Sequence, residues 1–103
     1  MENVPEFIRA ASPGISGTLE ERGKRYGTFT SQAVLTQDLK AVMHCGSSWI
    51  AAPPDVKEAL HMIASKIARI VNGDSNYADN WHDIQGYAKL VEDRINQEKQ
   101  NVD

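Results

Sequence analysis

The chain has 103 residues, of which 41% are hydrophobic and 24% are charged. This length suffices for one domain, but so short a chain buries only about 60–70% of its unfolded surface. We therefore expect a modest core and treat a homo-oligomer as a reasonable expectation. The formal net charge of −3 argues against a general nucleic-acid binder, which normally carries a basic excess.

The cysteine count and the hydropathy pattern exclude further kinds of site and segment. Cys45 is the only cysteine, which excludes an intrachain disulfide and a cysteine-based zinc cluster. The opening MENVPEFIRAASPG lacks the apolar run of a signal peptide. No stretch approaches the roughly 18 continuous apolar residues of a membrane span. We therefore expect a cytoplasmic protein with no membrane partner.

Residues 1–17 contain prolines and glycines and are predicted to form an N-terminal arm. A short helix is predicted to begin at Thr18 and to end at Gly27. In the next segment, TSQAVLTQDLKAVMHCG, apolar residues recur at helical spacing between a cap at Thr30 or Ser31 and a stop at Gly46. The connection SSWIAAPP offers Trp49 and Ile50 as anchors.

Two longer helices follow. PPDVKEALHMIASKIARIVNG has prolines at its start and Gly73 just past its end, as helices prefer. Its apolar stripe comprises Val56, Ala59, Leu60, Ile63, Ile67 and Ile70. The last helix, from about Asp79 to Glu98, has Trp81, Ile84, Ala88, Val91 and Ile95 on one face.

No alternating strand pattern occurs in the sequence, and the predicted fold class is therefore all-α. We expect a small helical bundle of three main helices plus a short N-terminal helix. Residues 18–98 would form a single helical domain, and residues 99–103 a frayed tail.

The stretch DNWHDIQGYAKL raises a functional question. Asp79, Asp83, Gly86 and Tyr87 are predicted to lie opposite the Trp81 stripe. Capping, ion pairing and close helix packing would explain these residues structurally. However, a glycine inside a helix costs roughly 1 kcal/mol relative to alanine. The pattern therefore indicates that another backbone or a ligand approaches this face closely.

The preceding helix offers partners for these carboxylates. Lys66 and Arg69 are three positions apart and hence neighbours. In an antiparallel helix pair they could face Asp83 and Asp79. Such a group is either a structural ion-pair network or a polar pocket between helices.

The segment ERGKRYG carries three cations and an aromatic ring within five residues. Arg22 and Arg25 could bind phosphate bidentately, and Tyr26 could stack on a base or ribose. The structural alternative is a solvated, charged helix end. The histidines at positions 44, 61 and 82 have no metal-ligand spacing, and we predict neither a metal site nor catalytic residues.

Three segments resemble a family of small tailed-phage and prophage proteins of unassigned function: ERGKRYGTF, EALHMIASKIARIVNGD and DNWHDIQGYAKLVEDRI. The shared pattern is E-R-x-x-x-Y-G, then K-x-x-R, then D-x-W-x-D-I-x-G-Y, over roughly residues 18–96. The resemblance implies a phage-encoded protein made in the host bacterial cytoplasm. It implies no particular activity.

More distantly, the helix pair is similar to the all-α nucleoside triphosphate pyrophosphohydrolases of the MazG and dimeric dUTPase type. In that family, E-x-x-E and E-x-x-D motifs hold magnesium against phosphates. Asp79 and Asp83 stand where the second motif would be, but Lys66 and Arg69 replace the first. Because magnesium prefers several oxygen ligands, two cations would repel it and bind an anion directly.

The leading hypothesis is a protein that binds a nucleotide or nucleotide-derived molecule with no cofactor. By analogy with phage biology, it would sequester a signal nucleotide of host defence. One alternative is a diverged, magnesium-dependent pyrophosphohydrolase. Another is an inhibitor of a host protein that uses residues 1–17 and the region around Trp49. The predicted ligand-binding residues are Arg22, Arg25, Tyr26, Lys66, Arg69, Asp79, Trp81, Asp83 and Tyr87.

Overall fold

The computed structural model describes residues 15–101, and within this range every regular element is an α-helix. The four helices are α1 (Ile15–Tyr26), α2 (Phe29–His44), α3 (Pro54–Asn72) and α4 (Ala78–Gln100). The predicted all-α class, with three main helices and one shorter N-terminal helix, is confirmed. Most of the predicted N-terminal arm lies outside the described residues, and its last three residues begin α1.

Local sequence signals explain where α2 begins. Gly27 adopts a positive φ of 76°, a conformation that glycine enters without steric cost. The chain then turns into the N-cap residue Thr28, whose side-chain oxygen accepts a hydrogen bond from the Ser31 amide at 3.2 Å. The cap therefore lies two or three residues before the predicted cap at Thr30 or Ser31.

Helix α3 is the centre of the fold. Helices α2 and α4 pack on either side of α3, and within residues 15–101 they make no contact with each other. α4 is antiparallel to α3, because Asp55 near the start of α3 bonds Arg94 near the end of α4. The three helices thus form one layer. α1 packs against α2 and α3.

The core of this layer is small. Among the described residues, the buried hydrophobic side chains are Ala59, Ala64, Ala68 and Ile70, all on α3. Alanines allow close approach of neighbouring helices, but each buries little apolar area. A single layer therefore leaves much of the chain's apolar surface uncovered.

The apolar stripes predicted from the sequence are only partly covered. Leu60 and Ile67 of α3 remain 37% and 39% exposed, and Trp81 of α4 is 51% exposed. The residue of α4 that is buried is Asn80, at 1% exposure. Trp81 belongs to the predicted apolar face of the last helix, and residues 15–101 leave it half exposed, because in a three-helix layer each helix keeps one face without a neighbour.

Candidate functional site

The turn between α1 and α2 is fastened to the end of α3. The Asn72 side-chain amide donates to the Tyr26 carbonyl at 2.8 Å and to the Thr28 carbonyl at 3.3 Å. The Asp74 amide donates to the Arg25 carbonyl at 2.7 Å. A Cβ atom added to Gly27 would collide with Asn72. These contacts fix the position of Tyr26 over α3.

Tyr26 meets Arg69 at this junction. The guanidinium carbon of Arg69 lies 4.6 Å from the centre of the Tyr26 ring, within the range of a cation–π interaction. The Arg69 Nε atom is buried and has no hydrogen-bond partner among the described residues. Because leaving a buried donor unsatisfied is costly, this nitrogen suits an acceptor supplied from outside the chain.

A cleft of about 420 Å³ opens beside this pair, a volume within the range of small-molecule sites. We call it the α1 cleft. Its lining combines arginines, aromatic rings and polar side chains with small or aliphatic residues: Leu19, Arg22, Gly23, Tyr26, Gly27, Thr28, Phe29, Gln32, Ser65 and Arg69. The lining contains no acidic residue, so the cleft is cationic in a chain of negative net charge.

The two arginines of the α1 cleft differ from the other arginines of the described chain. Arg25 and Arg94 form salt bridges with carboxylates. Arg22 and Arg69 form none within residues 15–101. Unpaired guanidinium groups retain their capacity to bind an anion bidentately.

Polar side chains lie below the two arginines. Gln32 is buried, and its amide donates to the Ser65 hydroxyl at 3.5 Å, which is a long hydrogen bond. The Gln32 backbone carbonyl accepts from the Thr36 hydroxyl at 2.9 Å. Together, Ser65 and Gln32 offer hydroxyl and amide groups to a polar ligand.

Lys66 and Asp83 form the predicted contact between α3 and α4. The Lys66 ammonium lies 2.9 Å from the Asp83 carboxylate, and the Lys66 side chain is only 11% exposed. The hydrogen bond from Lys66, reinforced by its charge, holds the pKa of Asp83 below its ordinary value. This pair joins two helices, and its groups already satisfy each other.

Asp79 and Arg25 also have partners within the chain. The Tyr77 hydroxyl donates to Asp79 at 2.8 Å, and this bond raises the pKa of Tyr77. Arg25 donates to Glu21 at 2.6 Å, and its guanidinium carbon lies 4.1 Å from the Tyr77 ring centre. The hydrogen bond from Arg25 lowers the pKa of Glu21.

The structure does not place the four predicted side chains around one hollow. These are Lys66, Arg69, Asp79 and Asp83. Arg69 lines the α1 cleft, whereas Asp83 and Tyr87 line a separate cleft of about 410 Å³ along α4. Lys66 and Asp79 are engaged in the contacts described above. The predicted hollow between α3 and α4 is thus not the arrangement in the structure.

Gly86 and Trp81 need a different explanation from the one predicted. A Cβ atom added to Gly86 would meet nothing within 4 Å, so within the described residues no backbone approaches this glycine closely. The Trp81 indole donates to the Ser75 carbonyl at 2.9 Å and lies outside the α1 cleft.

Several residues of the α1 cleft were not among the predicted ones. Phe29 is 80% exposed, and in the sequence nothing distinguishes it from an ordinary apolar residue at the start of a helix. Gln32 and Ser65 belong to helices whose mutual register the sequence does not reveal. The sequence does contain a signal for the clamp, by which we mean the contact between the α1–α2 turn and the end of α3. The glycine-containing segments YGT and NGD mark the two turns that meet there.

Two further features bear on the chemistry of the site. Within residues 15–101, no cluster of three or more histidine, cysteine, aspartate or glutamate side chains is arranged to hold a metal ion. No helix in the same range has the length and apolarity needed to cross a membrane.

Fold and site together define a small all-α protein with a cationic, tyrosine-containing cleft where its first helix crosses the third. The chain belongs to the family described as a domain of unknown function (DUF6378), whose model matches residues 8–95. This match includes every residue of the α1 cleft. No curated protein and no solved structure matches the chain.

Proposed function

We propose that the protein binds a nucleotide or nucleotide-derived molecule in the α1 cleft, without a required metal ion. The observation that supports this proposal most strongly is the state of Arg69. Within residues 15–101 its buried Nε atom has no acceptor. Arg69 lines a cleft whose described lining contains a second guanidinium without a salt bridge, Arg22, and no carboxylate.

Each part of a nucleotide has a counterpart in the α1 cleft. Arg22 and Arg69 bind phosphate oxygens, for which the planar guanidinium is well suited. Tyr26 and the exposed ring of Phe29 contact the base, since aromatic stacking tolerates every base. Ser65 and Gln32 supply hydrogen-bonding groups for the sugar hydroxyls.

The proposal reduces the set of ligand contacts predicted from the sequence. Lys66 and Asp83 neutralise each other, and Asp79 accepts from Tyr77. Lys66 and Asp83 therefore support the helix pair and Asp79 makes a local contact, while Arg22, Tyr26 and Arg69 remain as ligand contacts.

A magnesium-dependent pyrophosphohydrolase is less well supported by the same residues. Lys66 and Arg69 occupy the positions where that family carries carboxylates, and Lys66 already bonds Asp83. The cationic lining of the α1 cleft favours direct binding of the anion over binding through a divalent cation.

The sequence resemblance to small phage proteins suggests a biological role for such a site. A phage-encoded cytoplasmic protein with a nucleotide site could lower the free concentration of a host signal nucleotide by sequestering it. The proposal also includes self-association, which the small core favours.

Thermal shift measurements with ATP and adenosine, both in EDTA, test the ligand proposal. We expect ATP to raise the melting temperature and adenosine to do so much less, because binding to the folded state stabilises it by mass action. The R22Q and R69Q variants should lose the ATP effect. Lys24→Gln is the matched control, since Lys24 lies two positions from Arg22 on α1 and does not line the cleft.

Three results would contradict the ligand proposal. The first is an absent ATP shift in the wild type, and the second is equal shifts for ATP and adenosine. The third is an equal loss of the ATP effect in K24Q and R22Q, because that loss would indicate general charge attraction.

A further inference from the structure

The three-helix layer has a side on which no chain segment of residues 15–101 packs. Six large apolar side chains define it, and we call it the apolar face. Their exposed fractions range from 36% to 73%. They are Val42 of α2, Leu60, Ile67 and Val71 of α3, and Trp81 and Ile95 of α4.

Helical geometry places this face opposite the α1 cleft. Ser65 and Arg69, which line the cleft, are each two residues from Ile67. Two residues correspond to about 200° of rotation around a helix. Ile67 therefore points away from α1, on the far side of α3.

The same reasoning applies to α4. Trp81 is one position from Asn80, which is buried against the layer, and two positions from Asp83. The Lys66–Asp83 pair lies on the side of Arg69, whose charge contributes to lowering the pKa of Asp83. Trp81 is consequently on the opposite side of the groove between α3 and α4 from the Lys66–Asp83 pair.

The size of the apolar face is that of a protein interface. α3 has 19 residues and is therefore about 28 Å long, and three helix axes at normal spacing span about 20 Å. The side of the layer that carries the apolar face therefore has an outline of roughly 560 Å², or about 1,100 Å² for two copies. A total above about 1,000 Å² is large enough for a specific interface.

We propose that the apolar face binds the same face of a second copy of this chain, giving a two-layer helical homodimer. A two-fold interface brings one surface patch against itself, and the six side chains that define this patch are all uncharged. Among residues 15–101, the four buried hydrophobic residues, three of them alanines, form a core that a second layer would complete.

This inference deepens the self-association included in the proposed function by naming its surface. It does not depend on the ligand, because the α1 cleft lies on the opposite side of α3 and stays open in the dimer. The R69Q variant should therefore remain dimeric even where it no longer binds ATP, and the two proposals can fail separately.

Light scattering coupled to size-exclusion chromatography tests the dimer directly. The chain mass is 11.4 kDa, so the wild type should elute at twice that value, about 23 kDa. Ile67→Glu should weaken dimerisation by about tenfold or more, as expected for a central apolar contact. Val34→Glu is the matched control, because Val34 is likewise an exposed β-branched residue replaced by glutamate, on α2 but outside the apolar face.

A second measurement keeps the test decisive if Ile67→Glu fails to fold. The melting temperature of the wild-type dimer should rise with protein concentration, because folding is coupled to association. A mass of 11.4 kDa at every concentration, with a constant melting temperature, would overturn the proposal. Such a result would overturn the homodimer whether residues 1–14 or another protein covers the apolar face.

Discussion

The two sides of α3 differ in what they lack. On one side, Arg69 faces α1 and has a buried N–H for which the described part of the chain offers no acceptor. On the other, Ile67 and Leu60 are more than a third exposed and have no hydrogen-bonding group. The first side requires a polar, anionic partner, and the second requires apolar surface. One helix can thus serve two unrelated partners, because residues two positions apart point in nearly opposite directions.

Gly27→Ala should have the largest effect and should act on the cleft side alone. The alanine would have to adopt a positive φ and would collide with Asn72. A strained backbone of this kind costs about 1–3 kcal/mol, and the clash adds to that. We expect a marked fall in chemical-denaturation stability and loss of ATP binding.

Gly23→Ala is the matched control for this prediction. A Cβ atom there meets nothing within 4 Å, and α1 should gain up to about 1 kcal/mol from a better helix former. Equal stabilities for the two alanine variants would contradict the clamp between Gly27 and Asn72.

The Lys66–Asp83 pair should show an asymmetric effect of intermediate size. Asp83→Ala leaves the nearly buried Lys66 ammonium without a partner, whereas Lys66→Met removes the charge that would be stranded. We expect Asp83→Ala to lower the free energy of unfolding more than Lys66→Met does. Urea unfolding of both variants gives the comparison.

The same variants separate the pair from the ligand site. Lys66→Met should retain the ATP-induced thermal shift, because Lys66 does not line the α1 cleft. If K66M lost that shift while its stability was preserved, Lys66 would be a ligand contact. This result would contradict its assignment to the helix pair alone.

Gly86→Ala should raise stability. This glycine lies within α4, is exposed, and leaves open space for a Cβ atom. Replacing a helix-interior glycine with alanine gains about 1 kcal/mol, which corresponds to roughly 4–8 °C in melting temperature for a domain of this size. A lower melting temperature would indicate that a second chain or other partner packs closely at Gly86.

The smallest expected effect is a pH dependence at the far end of α2. The His44 and His61 rings meet with their Nε2 atoms 2.9 Å apart, and Trp49 packs against both. Desolvation, with smaller contributions from the charges of Lys40 and His44, lowers the pKa of His61 below 6.5, and Glu58 opposes this shift.

The direction of the pH effect follows from this lowered pKa. Near pH 6.5 the unfolded chain binds more protons at His61 than the folded chain does, so stability falls as the pH drops below about 6.5. Melting temperatures measured between about pH 7.5 and about pH 5.5 should therefore decrease, and they should decrease less in H61Q. The lowered carboxylate pKa values, as at Asp55, act only at lower pH.

Much of the fold could be predicted from the sequence, but not what covers each helix. Helical spacing identified Leu60, Ile67 and Trp81 as members of apolar stripes. Periodicity reports that a face is apolar, however, and does not reveal whether the chain itself covers that face. The sequence therefore predicts the apolar stripes, whereas their partial exposure in a single layer appears only in the structure.

The sequence predicts which residues belong to the candidate site better than it predicts which of them lie together. Arg22, Tyr26 and Arg69 were named from residue type and spacing. Arg69 was paired with the carboxylates of the next helix because neighbouring helices usually meet. Its contact with Tyr26 depends instead on the bond from Asn72 to the Tyr26 carbonyl, across 46 residues of sequence, and no local pattern encodes such a crossing.

The most direct test of nucleotide binding observes the arginine side chains themselves. In a nitrogen-15 NMR titration with ATP in EDTA, the Nε–H signals of Arg69 and Arg22 should shift strongly. The Arg94 signal should stay in place, because Arg94 is already bound to Asp55 at 2.8 Å. An unchanged Arg69 signal at saturating ATP, or equal shifts at all three arginines, would contradict the account.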